Sequence, residues 1–252
     1  MLDTRLSDAE RYPLKVSDLV VMDIPTEEAP EKVVWASGDQ YVVQELPNVA
    51  FNGDYYHKPM YISDQFVEYS GSVMSIDPSG RGKDEKVNEI IVESNFGDGM
   101  FNQLMMPILA KIHPVTMGEV RHNTQKEKRI IDVLEPVMNQ HKLVMDKKLI
   151  KRDYESTQHL PPEQALRYQL MYQLTRITAE RGALSNDDRL DSLAMAVQYW
   201  VDAMSQDAEV RIGARREEML MEEVNKVRQA ASMGLAVVTG HLADGFQKGM
   251  KW

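Results

Sequence analysis

Two short apolar runs, Gly71–Asp77 and Val87–Glu93, each end on an acidic residue, and a turn-rich stretch follows each of them. After the first comes Pro78-Ser79-Gly80-Arg81-Gly82; after the second come Ser94-Asn95 and Gly97-Asp98-Gly99. Apolar runs of this length, bounded by turn residues, predict buried strands rather than helices. A helix is predicted next, because Phe101, Leu104, Met105, Ile108, Leu109 and Ile112 recur at helical spacing, with a kink at Pro107. Val115–Val120 reads as another strand, and Lys126–Gln140 as a helix with Ile130, Leu134, Val137 and Met138 on one face. Leu143–Met145 reads as one more short strand. Strands alternating with helices predict an α/β sheet.

The flanks differ in texture. The first 66 residues hold short β-like runs at Asp18–Ile24, Lys32–Trp35 and Tyr41–Leu46, separated by prolines and glycines, which predicts a strand-rich arm without a large core of its own. Tyr168–Thr178 fits both periods, and the Arg181-Gly182 break after it favours a hairpin. Ser185-Asn186-Asp187-Asp188 then opens a helix with Leu190, Leu193, Ala194 and Val197 on its apolar face. A charged helical stretch runs from Gln206 to about Met233, ahead of a glycine-spotted tail, Thr239–Trp252. The expected division is an arm over 1–66, a main domain over 67–204 and a helical extension with tail over 205–252.

Composition removes several kinds of chemistry. There is no cysteine, so thiolate metal sites, disulfides and cysteine nucleophiles are excluded. Gly80-Arg81-Gly82-Lys83-Asp84 lacks the Ser or Thr that must follow the lysine of a phosphate loop, so nothing here predicts ATP hydrolysis. The start lacks a signal peptide's basic and apolar regions, and no apolar run approaches the roughly 18 residues of a membrane span, so an intracellular compartment is the expectation. The net charge of −10 argues against a surface that coats nucleic acid everywhere, but not against a local basic track beside an acidic site.

Asp77 and Glu93 would gather at the carboxyl ends of their strands if those run parallel. Asp188 and Asp191 lie three apart near a helix start and share a face. Carboxylates converging there suit one or two Mg²⁺ or Mn²⁺ ions, hard cations that prefer oxygen ligands. A pair of such ions about 4 Å apart serves phosphodiester cleavage. Plainer readings exist for each: a turn residue at Asp77, a solvated strand end at Glu93, a capping box joining Ser185 to Asp188, and a dipole-favoured surface position at Asp191. Lys126, Lys128 and Arg129, with Arg121 and His122 beside them, read either as phosphate contacts or as a solvated face.

The string from Ser75 to Glu85 resembles the first nuclease motif of the large terminase subunits of short-tailed bacteriophages, and Ile91 to Phe101 is similar to their second. Arg129 to Pro136, and Arg181-Gly182-Ala183-Leu184 followed by Asp187 to Asp191, continue the series in order. Leu2 to Leu6 and Arg11 to Lys15 resemble the exit from that family's ATPase domain, so the arm is expected to follow such a domain. The resemblance implies an RNase H-like mixed sheet flanked by helices, and an endonuclease that cuts concatemeric viral DNA during genome packaging. It maps the metal-binding acids onto Asp77, Glu93, Asp188 and Asp191. It implies double-stranded DNA, a small terminase subunit, a portal and a procapsid as partners, in the host cell cytoplasm; the tail Thr239–Trp252 is a candidate portal contact.

The sequence departs from that pattern in two places, and the first is that the family's ATPase half is missing. Asp77 and Glu93 stand only 16 positions apart, where the fold normally inserts two antiparallel strands and a helix, and something like 40 residues are missing. The alternative expectation is therefore a catalytically inactive, truncated fragment that binds DNA or portal.

Overall fold

A computed structural model of the chain describes residues 11–76, 89–93, 106–107, 116–120 and 124–207, with 210, 215–217, 219 and 221. Residues up to Tyr199 form one compact unit and those from Trp200 a second. The architecture is α/β, with parallel and antiparallel pairings and flanking helices.

The centre of the first unit is a parallel sheet in the order β6–β7–β8, formed by Val73–Ile76, Glu89–Glu93 and Thr116–Val120. Ile90, Ile91 and Val92 of β7 are all buried, as a central parallel strand covered on both faces requires. Ile76 pairs with Val92, and Glu93 with Val120, so the three carboxyl ends lie side by side. Within the described residues β6 ends at Ile76 and β7 begins at Glu89, and residues 77–88 between them lie outside the described residues. Asp77, the Gly80–Gly82 turn and most of the helix predicted over Phe101–Ile112 lie outside the described residues; Met106 and Pro107, within it, are helical.

α1 spans Lys126–Asn139 and buries Glu127, Ile130, Ile131, Leu134 and Met138; Ile131, rather than the predicted Val137, completes its inner stripe. The helix ends in a paired hydrogen-bond closure: Lys142 N donates to Val137 O at 3.0 Å and His141 N to Met138 O at 2.7 Å. The left-handed position that this closure needs, usually a glycine, is filled by His141 at φ 52°.

β9, Val144–Asp146, follows and pairs in parallel with β1, Val20–Met22, of the arm. The arm thus supplies a strand, and it adds Leu14, Val16, Leu19, Val43, Leu46 and Tyr56 to the buried core. Around β1 it is pinned by Asp54, whose two oxygens accept from Val16 N at 3.0 Å and Ser17 N at 2.9 Å. Val20 also bridges His57 in parallel, and two antiparallel pairs follow: β2 (Glu28–Pro30) with β5 (Phe66–Glu68), and β3 (Val33–Val34) with β4 (Tyr61–Ile62).

α2 spans Lys147–Glu155, a single turn α3 spans Pro162–Ala165, and α4 spans Leu170–Arg176. α4 corrects the hairpin expected over Tyr168–Thr178. Leu170, Met171, Gln173, Leu174 and Thr175 are all buried, which no single strand face provides. Residues 188–199 form the next helix, α5, with Leu190, Ala194, Met195 and Val197 buried. In the second unit residues 200–207 are helical, and Ser205 Oγ donates to Val201 O at 2.8 Å. The tail Thr239–Trp252 lies outside the described residues.

Candidate active site

The first turn of α5 is assembled from three directions. Asp191 N donates to Asp187 O at 2.8 Å, so Asp187 rather than Ser185 stands at the helix cap, and the expected capping box is not formed. Leu190 N, one of the donors that a helix start leaves without an internal partner, is taken by Gln173 Oε1 of α4 at 3.0 Å. Arg189 Nη1 donates to Asp153 Oδ1 of α2 at 2.6 Å. The loop leading into α5 is held by α1: Gly182 N donates to Glu127 Oε1, and Gln125 Nε2 to Ala179 O at 2.9 Å. Gly182 has φ +73° with open space where a Cβ would stand, so glycine is used there for its backbone and not for room. Burial works against the Glu127 charge, but the Gly182 amide, its own amide, Gln125 and Arg181 together outweigh it and hold its carboxyl below the usual value.

Asp188 and Asp191 have opposite surroundings. Asp188 is exposed. Asp191 is fully buried: Arg129 Nη2 donates to its Oδ1 at 2.6 Å, and Lys126 Nζ lies 3.0 Å from its Oδ2. The Lys126 ammonium also donates to Asp187 Oδ1 at 2.9 Å and so bridges two carboxylates. Burial opposes its charge, yet these hydrogen bonds prevail and raise its pKa above that of an ordinary lysine. Of the residues expected to meet phosphates, Lys126 and Arg129 therefore face acids, Lys128 is exposed, and Arg121 lies outside the described residues.

The far end of α5 fixes its direction. Tyr199 Oη donates to Glu89 Oε2 of β7 at 2.8 Å, and this bond raises the Tyr199 pKa. Asp191, eight residues earlier, is tied to the first turn of α1, which begins just beyond the carboxyl end of β8. Eight helical residues cover about 12 Å and the four steps from Glu89 to Glu93 about 13 Å, so the two ties suit an α5 that runs back along β7. Glu93 occupies the last position of β7.

Asp77 lies outside the described residues, and among those described no group of three metal-ligating side chains converges. The candidate donors are nonetheless all hard carboxylate oxygens. Asp187 and Asp191 already receive one cation, the Lys126 ammonium, between them. In donor chemistry they fit a hard divalent ion. Sequence reasoning missed Asp187, reading it only as part of the helix start; its adjacency to Asp188 was the available signal. It had no means of finding Glu89 and Tyr199, which meet only in the fold.

Residues 86–143, which include β7, β8 and α1, match the family described as the bacteriophage T7 terminase ribonuclease H-like domain. Over 95% of its length the chain is 35% identical to a large terminase subunit of Enterobacteria phage T3. It spans about half the length of that curated relative, 48%. The alignment covers 282 positions, whereas 95% of this chain is about 239 residues, so about 43 positions of the relative have no counterpart here. That is the size of the shortfall expected between Asp77 and Glu93. The resemblance read from the motif strings thus holds over nearly the whole chain, and the RNase H-like assignment holds for the segment that carries β7, β8 and α1.

Proposed function

We propose that this chain, kin to the large terminase subunits of phages, is a Mg²⁺- or Mn²⁺-dependent endonuclease that cuts concatemeric viral DNA during genome packaging. The observation that supports this most is the pair of ties on α5, its end to Glu89 of β7 and its acidic start to the first turn of α1, which we read as bringing that start toward the carboxyl ends of the parallel strands. Asp77, Glu93, Asp188 and Asp191 are the proposed metal ligands, with Asp187 beside them. Bound metal would supply an activated water and charge neutralisation at the scissile phosphate. The chain's own residues do the holding. Arg129 fixes one oxygen of Asp191, Lys126 keeps the second oxygen near Asp187 in the absence of a divalent ion, and Gln173 and Asp153 set the start of α5.

The proposed setting is the host cell cytoplasm, with double-stranded DNA, a small terminase subunit, portal and procapsid as partners. Among the described residues no helix is long and apolar enough to cross a membrane.

Purified protein incubated with supercoiled plasmid in Mn²⁺, Mg²⁺ or EDTA tests the reading. Nicking is expected with either metal, none in EDTA, and none from Asp77→Ala or Glu93→Gln. Cutting by Asp77→Ala at the parent's rate would remove that residue from the site. A second reading, a non-catalytic module that binds DNA or portal, draws on the roughly 43 positions absent relative to the phage T3 protein. It predicts no nicking by the folded parent and no thermal shift on adding Mn²⁺, because a ligand bound only by the native state must stabilise it.

A further inference from the structure

We propose that the outer face of α2 is a binding surface for the phosphate backbone of double-stranded DNA, with Lys148, Lys151 and Arg152 as the contacting residues. The proposal deepens the nuclease reading by naming a second hold on its polymer, and it can be tested without any cutting.

α2 buries Ile150 and Asp153. Helical spacing puts Lys148, Lys151 and Arg152 on the opposite side, three and four residues apart, and all three are exposed. Arg152, in the last turn, suits the helix dipole, but the rest of this arrangement is unfavourable for the helix alone. Lys148 and Arg152 are like charges one turn apart and repel each other. Lys148 also stands in the first turn, at the positive end of the helix dipole, and that turn carries no acid.

The acids nearby are occupied elsewhere. Asp146 caps the helix by accepting from Lys148 N at 2.8 Å. Asp153 is buried and accepts from Leu170 N at 2.8 Å, Met171 N at 3.1 Å and Arg189. Asp23 and Glu45 of the arm reach Lys147, at 3.5 and 3.7 Å. Glu155, at the end of the same face, is the acidic residue left there. None of the three cations makes an ion pair among the described residues. A chain with net charge −10 thus keeps three cations with a single acid, Glu155, on one exposed helix face, which points to an external polyanion.

The inner face of α2 says which polyanion. Its Asp153 holds Arg189, the neighbour of Asp188, so a polymer seated on the outer face is held on the frame that positions the acidic helix start. Lysine and arginine contacts of this kind set the register of duplex DNA without reading its sequence.

The test is fluorescence anisotropy of a labelled random-sequence duplex, in EDTA and across a range of KCl concentrations, with the full chain. Three proteins are compared: the parent, K148E/K151E/R152E, and a control, K15E/K32E/K58E, which makes the same change in charge at exposed positions of the arm. The slope of log affinity against log salt should fall by about 2 to 3 in the α2 variant and stay near the parent's in the control. Equal losses in both variants, an unchanged slope in the α2 variant, or no binding by the parent would each overturn the proposal. Matching urea midpoints report folding, and K148Q/K151Q/R152Q gives a milder version of the same comparison. Because EDTA removes cutting, a failure of the nuclease reading would show in the plasmid assay and leave this result standing.

Discussion

At the start of α5, Asp191 is buried against Arg129 and Lys126, while at the end of α1, His141 lies flat on Trp35 of the arm, with ring centroids 3.5 Å apart and planes at 8°. Both junctions join stretches far apart in sequence. The first uses charge in a dry place, where the cost of desolvation is repaid only by good geometry. The second uses stacked aromatic surface, and among the described residues neither Trp35 nor His141 is held by an ion pair there. A junction needed only for cohesion has no use for the first solution. On the proposed reading, the acidic corner keeps its charge for a metal rather than for stability.

That contrast can be broken most directly at Arg129. Arg129→Met leaves Asp191 buried with Lys126 as its remaining cation and should cost about 3–5 kcal/mol in urea denaturation. Adding Asp191→Leu should recover most of that loss while leaving the plasmid uncut. If the double variant is as unstable as the single one, the corner is structural and the contrast fails. Lys126→Ala should sharpen it next. Without the ammonium between Asp187 and Asp191, a divalent ion meets less competition, so saturating Mn²⁺ should raise the melting temperature more than in the parent. At a hundredfold excess over Kd the full stabilisation is about 2.7 kcal/mol. A smaller shift than the parent's would mean that Lys126 supports the metal rather than competing with it.

At the aromatic junction the effects should be smaller. His141→Gly loses a stack of about 0.5–1.5 kcal/mol but removes a left-handed backbone cost of about 1–2 kcal/mol, so its stability should stay within about 1 kcal/mol of the parent. His141→Val loses the stack and worsens the backbone, and should cost about 2 kcal/mol.

The least effect should be on pH dependence, where the two regions carry opposite signs. Burial raises the Asp18 carboxyl beside His141, with the nearby His141 and Lys15 offsetting only part of it. Its contribution is therefore present below the unfolded pKa and is lost as pH rises through the higher folded value. Glu127 is lowered, so its contribution is present above the unfolded pKa and is lost as pH falls through the lower folded value. Urea midpoints measured across the acid range should rise toward neutral pH less steeply in Glu127→Gln than in the parent, and more steeply in Asp18→Asn.

What could be read beforehand was whatever repeats along the chain. The apolar run of β7 and the inner stripe of α1 carry their own periodicity, and the four acids proposed as ligands were singled out from strand ends and a helix start. α4 was misread because its burial is not apolar throughout. Gln173 and Thr175 are buried with their polar groups engaged, Gln173 at Leu190 N and Arg167 O and Thr175 at Met171 O, and partners so scattered leave no mark in a window of sequence. The same holds at the site. The positions of Asp188 and Asp191 were legible, but not that one would be exposed and the other buried between two cations, since Lys126 and Arg129 lie some sixty residues away. The expected phosphate role for those two cations overlooked the nearest anions, which are the chain's own.

One pairing has a consequence during synthesis. β1 meets β9 through Val20 and Val144, and Val20, Val21 and Met22 are buried in the finished fold. A ribosome working at about 5–20 residues per second needs roughly 6 to 25 s to make the chain between those two residues. Throughout that interval an apolar strand is outside the ribosome without its partner. The β1 strand is thus made well before the β9 strand that secures it, and any slowing of translation before Val144 lengthens the time during which it can stick to something else.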